Sequence, residues 1–282
     1  MATAMITGAS AGLGLEFAWQ LATARHDVVI VARDVQRLER LALQLRAAAG
    51  IEVEVLPADL ADPVQVDRVA ERLRHRSKPI GLLVNNAGFG LGGAFVGGDL
   101  DLELRALDVM VRAVLVLSHA AAGPMVERGR GAILNVSSVA ALTTMGTYSA
   151  HKAWVRTFTE GLAVELRGTG VTATALCPGL VHTEFHQRAG IERPEAPELA
   201  WLNADQVVSA ALADVRRGVV ISTPSLRYAV ASGVARMMPR RVIRAVSGGL
   251  AQRDTTGADE RFAEADERPS DADSASGDHA AD

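Results

Sequence analysis

Apolar and polar positions along the chain fall into two alternating patterns. Short runs rich in valine, isoleucine, leucine and alanine are almost continuously apolar, which is typical of parallel strands covered on both faces. They predict strands at Ala2–Ile6, Val28–Ala32, Glu52–Leu56, Gly81–Val84, Gly131–Val136, Val171–Leu176 and Val219–Ser222. Longer segments with apolar residues at helical spacing predict helices at Leu13–Ala24, Val35–Ala49, Pro63–Arg76, Asp101–Glu127, Thr147–Arg167 and Ala204–Val215. This alternation predicts a doubly wound, parallel α/β sheet of the Rossmann type with right-handed crossovers.

Residues at the ends of the predicted elements agree with this assignment. Asp62 is a predicted N-cap, because proline at the first helical position follows it. Gly50 and Gly168 lie where helices would end with a glycine cap. Ligands of such a sheet bind beyond the C-terminal ends of the strands, so the loops there are the candidates for chemistry.

Composition and charge divide the chain into three parts. Its 282 residues are 49% apolar, which is enough for one large core. Residues 254–282 hold ten acids and two bases, and this net charge of −8 leaves +4 on the rest of a chain whose total is −4. Few large apolar residues occur there, so we predict a disordered acidic tail. We therefore expect a catalytic domain at 1–225, a basic amphipathic extension at 226–253 and the tail at 254–282.

Several other classes of protein are disfavoured. Cys177 is the only cysteine, so no intrachain disulfide is possible, and we expect a cytoplasmic protein. No signal peptide is predicted, because the apolar segment Met1–Ile6 has no charged start and runs directly into Thr7-Gly8. No membrane-spanning helix is predicted, because Asp108 and Arg112 interrupt the longest apolar stretch. No His/Cys cluster has zinc spacing, so no metal is expected. Nucleic acid is not indicated, because the chain is mildly acidic and has no recognised binding module.

The segment Leu226–Leu250 is unusual because it mixes apolar residues with arginines and has no acid. Its arginines are Arg227, Arg236, Arg240, Arg241 and Arg244. Such a segment can lie on an anionic membrane surface. It can also pack on the body of the protein or on another subunit, and we favour packing because arginine side chains commonly cover apolar surface.

Three glycines join the first predicted strand to the first helix with the spacing G-x-x-x-G-x-G. Glycine lacks a Cβ atom, so a pyrophosphate can approach the backbone, and the helix N-terminus offers free N–H groups and a positive dipole. A purely structural tight turn is the alternative. We assign this loop to nucleotide binding through Gly8, Ser10, Gly12, Leu13 and Gly14.

The residues after the second and third strands bear on the choice of nucleotide. A site that prefers the unphosphorylated ribose usually has an acid at the end of the second strand. Here that position is Ala32, and Arg33 follows it. A guanidinium matches a 2′-phosphate in charge and geometry, so we predict NADP(H), although Arg33 can also be a solvated loop residue and Asp34 weakens the case. Asp59 is placed to meet the adenine amino group; the alternative is that it is an N-cap or turn aspartate.

The candidate catalytic residues are Ser138, Tyr148 and Lys152. Tyrosine and lysine four residues apart share one face of a helix. Tyrosine has a pKa near 10, and a neighbouring ammonium favours the phenolate and lowers that pKa. A phenol of this kind can exchange a proton with a substrate oxygen, while a serine hydroxyl stabilises the developing alkoxide. A half-buried tyrosine beside a solvated lysine is the alternative.

These motifs occur in the order found in a known family. They are the glycine loop, Asp59, Asn85-Asn86-Ala87-Gly88, Ser138, Tyr148-x-x-x-Lys152 and Pro178-Gly179. Over roughly Ala2–Val220 the chain resembles a short-chain dehydrogenase/reductase.

The resemblance implies a role for each matching residue. Tyr148 would be the proton donor or acceptor, Lys152 would bind the nicotinamide ribose and lower the tyrosine pKa, and Ser138 would orient the substrate carbonyl. Asn86 would stabilise the sheet centre beside the cofactor. The nicotinamide end would be held by Pro178, Gly179, Val181 and Thr183. The helices predicted at 101–127 and 147–167 would form the contacts of a homodimer or tetramer.

Two departures from the family pattern stand out. Met110 occupies the position where the family usually has an asparagine that completes a proton relay. The loop Val139–Thr147 is shorter than is common. The segment Val181–Asn203 is expected to close over the substrate, and its apolar residues suit a hydrophobic carbonyl compound or secondary alcohol. His182 and His186 in this segment are interpreted as exposed loop residues, with contact to the substrate as the alternative. His151 is expected to point away from the face of Tyr148 and Lys152.

Two functions follow from these observations. The first is an NADP(H)-dependent oxidoreductase, a carbonyl reductase. The second is a nucleotide-binding regulatory or scaffold protein that kept the fold and lost turnover. Met110 favours the second, whereas the intact Ser138, Tyr148 and Lys152 argue against it.

Overall fold

In the computed structural model, which describes residues 3–91, 94–183, 197–245 and 247, a parallel sheet forms the centre of the molecule. Within these residues seven strands pair in the order β3-β2-β1-β4-β5-β6-β9. They are β1 (Thr3–Thr7), β2 (Val28–Ala32), β3 (Val53–Pro57), β4 (Ile80–Asn85), β5 (Gly131–Val136), β6 (Val171–Leu176) and β9 (Ile221–Ser222). A separate parallel pair joins β7 (Leu180–Val181) to β8 (Trp201–Leu202). The predicted doubly wound sheet is confirmed.

The helices connect the strands as the sequence predicts, with small shifts at their ends. They are α1 (Gly12–Thr23), α2 (Val35–Ala49), α3 (Pro63–Arg74), α4 (Leu100–Leu107), α5 (Ala113–Glu127), α6 (Gly146–Glu165), α7 (Ala204–Arg217) and α8 (Leu226–Met237). The single helix predicted at Asp101–Glu127 contains a π-helical turn at Asp108–Arg112. Short 3₁₀ turns lie at Val139–Leu142 and Glu198–Ala200.

Most of the predicted helix ends have the expected caps. The Asp62 carboxylate accepts a hydrogen bond from the N–H of Val64 at the start of α3. Gly50 ends α2 in the left-handed conformation, with φ of 60°. Gly168 differs from the prediction, because Leu166 is the C-cap of α6. Gly168 lies beyond it in the turn to β6, where its φ of 78° suits glycine.

The core has two layers, one on each face of the sheet. Successive strand residues point to opposite faces, so Ile6 and Ile30 pack against α1, α2 and α7, whereas Met5 and Val29 pack against α3 and α5. This explains why the strand runs are continuously apolar, since both faces of each strand are buried.

The helical stretch Leu100–Glu127 passes, by length and composition, a test for a membrane-spanning helix, and half of its most apolar window is buried in the fold. Ala113, Leu117 and Met125 belong to the core layer described above. The burial of a helix between other elements accounts for its apolar composition.

The chain separates into two compact units, Met1–Met238 and Pro239–Asp282. Helix α8, which the sequence places at the start of the basic extension, belongs to the first unit. In the second unit residues 240–245 and 247 are helical, and the carbonyl of Pro239 accepts a hydrogen bond from the N–H of Val242. The predicted tail at 254–282 lies outside the described residues, so this part of the domain assignment stays a prediction.

Candidate active site

The glycine loop between β1 and α1 packs directly on the residues that follow β4. A Cβ atom on Gly14 would overlap the carbonyl oxygen of Gly8 and lie 2.5 Å from Asn86 Nδ2. A Cβ atom on Gly8 would lie 2.9 Å from the Cα of Ala87, and the φ of Gly8 is 67°. Glycine is therefore required at both positions, because the backbones of the loop, of α1 and of the residues after β4 approach one another closely. This is the purely structural alternative given for the motif in the sequence analysis.

Gly12 and the start of α1 are less tightly packed than Gly8 and Gly14. The φ of Gly12 is 54°, and a Cβ atom on it would meet Thr183 at 3.5 Å, across the cleft from the loop. The N-cap of α1 is Ala11, which supplies no side-chain hydrogen bond to the first turn. The N–H groups of that turn, next to Ser10 and Leu13, are thus left for another acceptor. A dinucleotide pyrophosphate fits this arrangement of free donors and positive dipole.

Asn86 links the end of β4 to the end of β1. Its side-chain Nδ2 donates to the carbonyl of Thr7 at 2.9 Å, and its backbone N–H donates to the hydroxyl of Thr7 at the same distance. The Thr7 hydroxyl also accepts from the N–H of Ala87. These contacts hold the centre of the sheet beside the glycine loop, while a contact of Asn86 with a cofactor stays a prediction.

The cationic residue after β2 lies at the surface, and its neighbour is engaged elsewhere. Arg33 is exposed. The Asp34 carboxylate accepts from the N–H of Arg37 at 3.0 Å as the N-cap of α2 and forms an ion pair with the Arg37 side chain. Asp34 is therefore committed to capping, which removes the smaller objection raised against Arg33, while the exposure of Arg33 also fits a solvated loop residue.

Asp59, after β3, already has two partners. Its Oδ1 accepts from the N–H of Ala61 at 3.1 Å, and its Oδ2 lies 2.5 Å from Nη2 of Arg105 on α4. The first contact is that of a turn aspartate, the alternative weighed above. Any contact with adenine would have to compete with Arg105, so the adenine role stays a prediction.

The three candidate catalytic residues converge beyond the C-terminal end of β5. Ser138 caps the 3₁₀ turn there, and its hydroxyl shares a hydrogen bond with the Tyr148 phenol. Lys152 Nζ is buried, donates to the carbonyl of Val136 at 2.9 Å and lies 5.6 Å from the centre of the Tyr148 ring. Ser137 fixes the helix on the strand, because its hydroxyl donates to the backbone carbonyl of Lys152 at 2.7 Å.

Burial controls the proton affinity of both titratable groups. Burial raises the pKa of Tyr148 above its ordinary value, and the hydrogen bond with Ser138 opposes this increase. Burial lowers the pKa of Lys152 from 10.5 to about 8. The pKa of Tyr148 is therefore raised overall, where the sequence predicted a lowered value, and the contribution of Lys152 to it stays a prediction. The reason is that Nζ donates to Val136 and lies over the ring, so removal of the phenol from water dominates.

Met110 fills the space beside this group of residues. It is fully buried in the π-helical turn, and a Cβ atom on Gly88 would lie 3.4 Å from its sulfur and 3.6 Å from Lys152 Nζ. Met110 thus forms an apolar wall close to the ammonium, where the family usually has an amide. π-Helical turns of this kind occur frequently at functional sites.

A buried polar network that the sequence analysis missed lies beneath the site. Asn85 Nδ2 donates to Ser118 Oγ at 3.1 Å and to Asn135 Oδ1 at 2.9 Å, and Asn135 Nδ2 donates to Thr159 Oγ1 at 3.0 Å. The chain of contacts joins β4, β5, α5 and α6. Asn135 within an otherwise apolar strand was the available signal, because a buried amide needs partners.

The nicotinamide-binding motif predicted at Pro178-Gly179 is held by a residue that the sequence analysis also missed. The ring of Tyr228 on α8 lies where a Cβ atom on Gly179 would be. The Tyr228 hydroxyl accepts from the N–H of Leu180 at 3.2 Å and donates to the carbonyl of Ala200 at 2.8 Å. One side chain therefore joins both arms of the segment expected to cover the substrate. We call these contacts the Tyr228 latch.

Of the three histidines considered in the sequence, His182 differs from its prediction. His182 is half-buried, its Nε2 lies 2.9 Å from Glu198 Oε1, and its ring stacks on Trp201 with centroids 5.0 Å apart. It is therefore not a simple exposed loop residue. His151 is buried, and its Nδ1 has no hydrogen-bond partner among the described residues. The predicted lid residues 184–196, including His186, lie outside the described residues.

Comparisons with known proteins agree with this geometry. A family model described as short chain dehydrogenase matches residues 2–193. The ketoacyl reductase HetN of a Nostoc species is 31% identical over 216 residues, which cover 74% of this chain and 73% of the relative. A short-chain dehydrogenase from Sphingobium yanoikuyae in complex with NADPH is 33% identical, with a TM-score of 0.77 and coverage of 98% of this chain and 100% of that chain. A Burkholderia phymatum member in complex with NAD is 29% identical, with a TM-score of 0.72 and coverage of 82% and 91%.

Proposed function

The chain belongs to the short-chain dehydrogenase family, an oxidoreductase family acting on carbonyl compounds and alcohols, and we propose that it transfers a hydride between NADP(H) and a hydrophobic ketone or the matching secondary alcohol. Tyr148 is the proton donor in the reductive direction. The observation that carries this proposal is the hydrogen bond between Ser138 and Tyr148 directly beside the buried Lys152.

The three side chains divide the work on the substrate oxygen. The bound nicotinamide supplies or accepts the hydride. The Ser138 and Tyr148 hydroxyls donate to the carbonyl oxygen, and the phenolic proton moves to that oxygen as it gains negative charge. The Lys152 ammonium stabilises the phenolate left behind. Because burial raises the pKa of Tyr148, the phenol is protonated at neutral pH, which is the form that reduction needs.

The proton-transfer role is tested by Tyr148→Phe in the full-length protein. Consumption of NADPH over a panel of ketones and aldehydes should fall by about 10²–10⁴-fold, the usual contribution of a general acid. Affinity for NADPH, measured by nucleotide fluorescence, should be nearly unchanged. Tyr228→Phe is a matched control, because the chain has only two tyrosines and this change also removes one hydroxyl.

The control should raise KM a few-fold and leave kcat within about twofold, because the Tyr228 hydroxyl is hydrogen-bonded to backbone groups of Leu180 and Ala200 and takes no part in the proposed proton transfer. Wild-type turnover in Tyr148→Phe would refute the proposal. Nucleotide binding without turnover on a broad panel in the wild type would favour the scaffold function.

The preference for NADP(H) is proposed from Arg33. Related structures hold either NADPH or NAD, so family membership does not decide the matter. The exposed guanidinium, the absence of an acid at Ala32 and the capping role of Asp34 support a 2′-phosphate site. Arg33→Ala should weaken NADPH by about 10–100-fold, the value of a charge-assisted contact, with little effect on NADH.

The exposed Arg40 of α2 is the matched control, and Arg40→Ala should leave the ratio of the two KM values unchanged. An equal loss for NADPH and NADH in Arg33→Ala would contradict the assignment.

We also propose a homodimer or tetramer formed through α5 and α6. Leu115 on α5 and Val164 on α6 are exposed large apolar side chains, and such residues are common at subunit contacts. Light scattering coupled to size exclusion tests this directly, and a monomer at micromolar concentration would contradict it.

A further inference from the structure

The edge of the sheet that carries Arg33 also carries an ion pair that the proposed function does not use. Strands β2 and β3 pair side by side, and beyond them the N–H of Ala58 donates to the carbonyl of Ala32 at 3.0 Å. Arg33 follows Ala32 directly, and Asp59 follows Ala58. The Asp59 carboxylate contacts Arg105, which reaches this edge from α4. The ends of β2 and β3 thus each carry charged side chains at the edge where such sheets bind nucleotides.

Asp59 is held by three partners. Its backbone N–H donates to Oε1 of Gln65 at 2.8 Å, and Nε2 of Gln65 donates to Asp62, the N-cap of α3, at 2.7 Å. Its Oδ1 accepts from the N–H of Ala61 at 3.1 Å, and its Oδ2 lies 2.5 Å from Nη2 of Arg105. Gln65 and Ala61 are local and build the turn into α3. Arg105 comes from a distant part of the chain, so the turn does not need it.

The carboxylate keeps capacity for a further donor. Within the part of the chain that the structure describes, its contacts are one on each oxygen, whereas an ionised carboxylate has about four acceptor sites and no donor. The side chains of Asp59 and Arg105 are 28% and 40% exposed, so a ligand at this edge can reach them. Because the carboxylate only accepts, the complementary group on that ligand is a donor such as an exocyclic amine.

We propose that Arg105 is a positioning residue for the base of the nucleotide, and that it holds the Asp59 carboxylate so that its remaining acceptor sites face the 6-amino group of adenine. A planar guanidinium with fixed N–H directions orients a carboxylate better than an ammonium does. A base with a 6-oxo group would place an acceptor oxygen against the carboxylate, so the pair selects for the amine. This inference rests on the proposed function and deepens it, since Arg33 reads the 2′-phosphate and the pair at the end of β3 reads the base.

The first measurement compares four reduced nucleotides on the full-length wild type. They are NADPH, NADH and the two deamino analogues, in which hypoxanthine replaces adenine and a 6-oxo group replaces the amine. Binding is followed by the fluorescence of the reduced nicotinamide, without substrate or turnover. NADPH and NADH should each bind about tenfold more tightly than the matching deamino nucleotide, the value of one hydrogen bond to a charged group. Equal affinity for amino and 6-oxo nucleotides would overturn the inference, and this measurement needs no variant.

The second measurement uses Arg105→Ala. Affinity for NADPH and for NADH should fall by the same factor, about fivefold, because the carboxylate loses its orientation and both nucleotides have the same base. Affinity for the deamino nucleotides should change by less than about twofold, since they do not use the carboxylate. A loss confined to NADPH would make Arg105 a ligand of the 2′-phosphate, and an equal loss for amino and 6-oxo nucleotides would make it a structural residue of α4. Either result contradicts the inference.

The matched control is Arg112→Ala. Arg112 lies seven residues further along the same helical stretch and also pairs with an aspartate, Asp108, at 3.5 Å. Its removal should leave all four affinities unchanged. A loss in this control as large as that of Arg105→Ala would show a general effect of charge, and the inference would be wrong.

A double-variant cycle tests whether Arg105 acts through Asp59. Asp59→Asn should weaken NADPH and NADH by about tenfold, and adding Arg105→Ala to it should cause no further loss. Independent losses that multiply would mean that Arg105 acts by another route. Urea unfolding without nucleotide should give nearly the same midpoint for Arg105→Ala and the wild type, because a partly exposed ion pair contributes little to stability.

The outcomes separate this inference from the proposed function. A wild type that binds none of the four nucleotides would refute both. A wild type that binds NADPH and reduces ketones, but does not distinguish amino from 6-oxo bases, would refute only the role of Arg105 and Asp59.

Discussion

The two sides of the cleft are built in different ways. On the side that we propose binds the nucleotide (the nucleotide side), Gly8 and Gly14 bring the β1–α1 loop, α1 and the end of β4 together with no room for a Cβ atom. On the side that we propose binds the substrate (the substrate side), the Tyr228 latch joins α8 to strand β7 and to the 3₁₀ turn that precedes β8. The first side is fixed by contacts between backbone atoms, and the second by side chains. If the proposed function is right, we expect the first side to hold the cofactor in one geometry and the second side to tolerate substitutions that change the substrate.

The largest effect is expected on the nucleotide side, from Gly14→Ala. The added methyl group would overlap the Gly8 carbonyl, and neither backbone segment can move without disturbing the sheet. We expect a loss of about 3 kcal/mol in the free energy of unfolding, the upper part of the range for overpacking. NADPH affinity should also fall, because the displaced loop would no longer present the N–H groups of the first turn of α1 to the pyrophosphate. Urea unfolding and nucleotide titration measure the two effects.

The matched control for this change is Gly161→Ala in α6, where a Cβ atom would meet nothing within 4 Å. Alanine is the better helix former, so this variant should be as stable as the wild type or more stable. If Gly14→Ala retains wild-type affinity for NADPH, the close backbone approach does not determine the nucleotide side.

A smaller effect is expected on the substrate side, from Gly179→Ala, and a second substitution should relieve it. The new methyl group would overlap the ring of Tyr228, but a side chain can swing away at the expense of its hydrogen bonds. We expect a loss of about 2 kcal/mol in the free energy of unfolding and a raised substrate KM. Adding Tyr228→Leu should remove most of this clash, so that the double variant resembles Tyr228→Leu alone.

The rescue is what distinguishes the two sides of the cleft. Additive losses in Gly179→Ala/Tyr228→Leu would mean that Gly179 is required for a reason other than its contact with Tyr228. The comparison would then fail, because both sides would depend on backbone approach.

The sequence predicted more of the structure on the nucleotide side than on the substrate side. The strand runs, the glycine spacing and the Asp62 cap are local signals, and the structure has them where they were expected. The Tyr228 latch joins residues far apart in sequence, so no local pattern contains it. The same is true of the ion pair between Asp59 and Arg105, since α4 must first pack beside β3.

The pKa of Tyr148 shows a second limit of the sequence. The i, i+4 spacing places Lys152 on the correct helix face, but it says nothing about which acceptor the ammonium finds. In the structure that acceptor is the carbonyl of Val136. Burial then outweighs the charge and raises the pKa of the phenol. The position was predictable from spacing, whereas the proton affinity depends on packing.

The last predicted effect is confined to alkaline pH and concerns the buried ammonium of Lys152. Because burial lowers the pKa of Lys152 from 10.5 to about 8, the unfolded chain binds a proton that the folded chain lacks between those two pH values. Stability contributed by this group therefore rises with pH in that window and is constant below it. Relative to Lys152→Met, the wild type should gain roughly 2 kcal/mol in free energy of unfolding between pH 7 and pH 9.5, at about 1.4 kcal/mol per unit.

Urea unfolding of the two proteins at a series of pH values measures this difference, and contributions from other groups cancel. Lys78 is the only other lysine in the chain and lies at the surface, 3.1 Å from Glu52, so Lys78→Met is the natural control and should show no such trend. Lys152→Met should be inactive although it is no less stable than the wild type at pH 7, since the buried charge it removes costs more than the single hydrogen bond to Val136 contributes. A wild type that loses stability relative to Lys152→Met as the pH rises would mean that the ammonium is stabilised by its surroundings. Lys152 would then belong with the rigidly held residues of the nucleotide side, and the comparison of the two sides would be wrong for this residue.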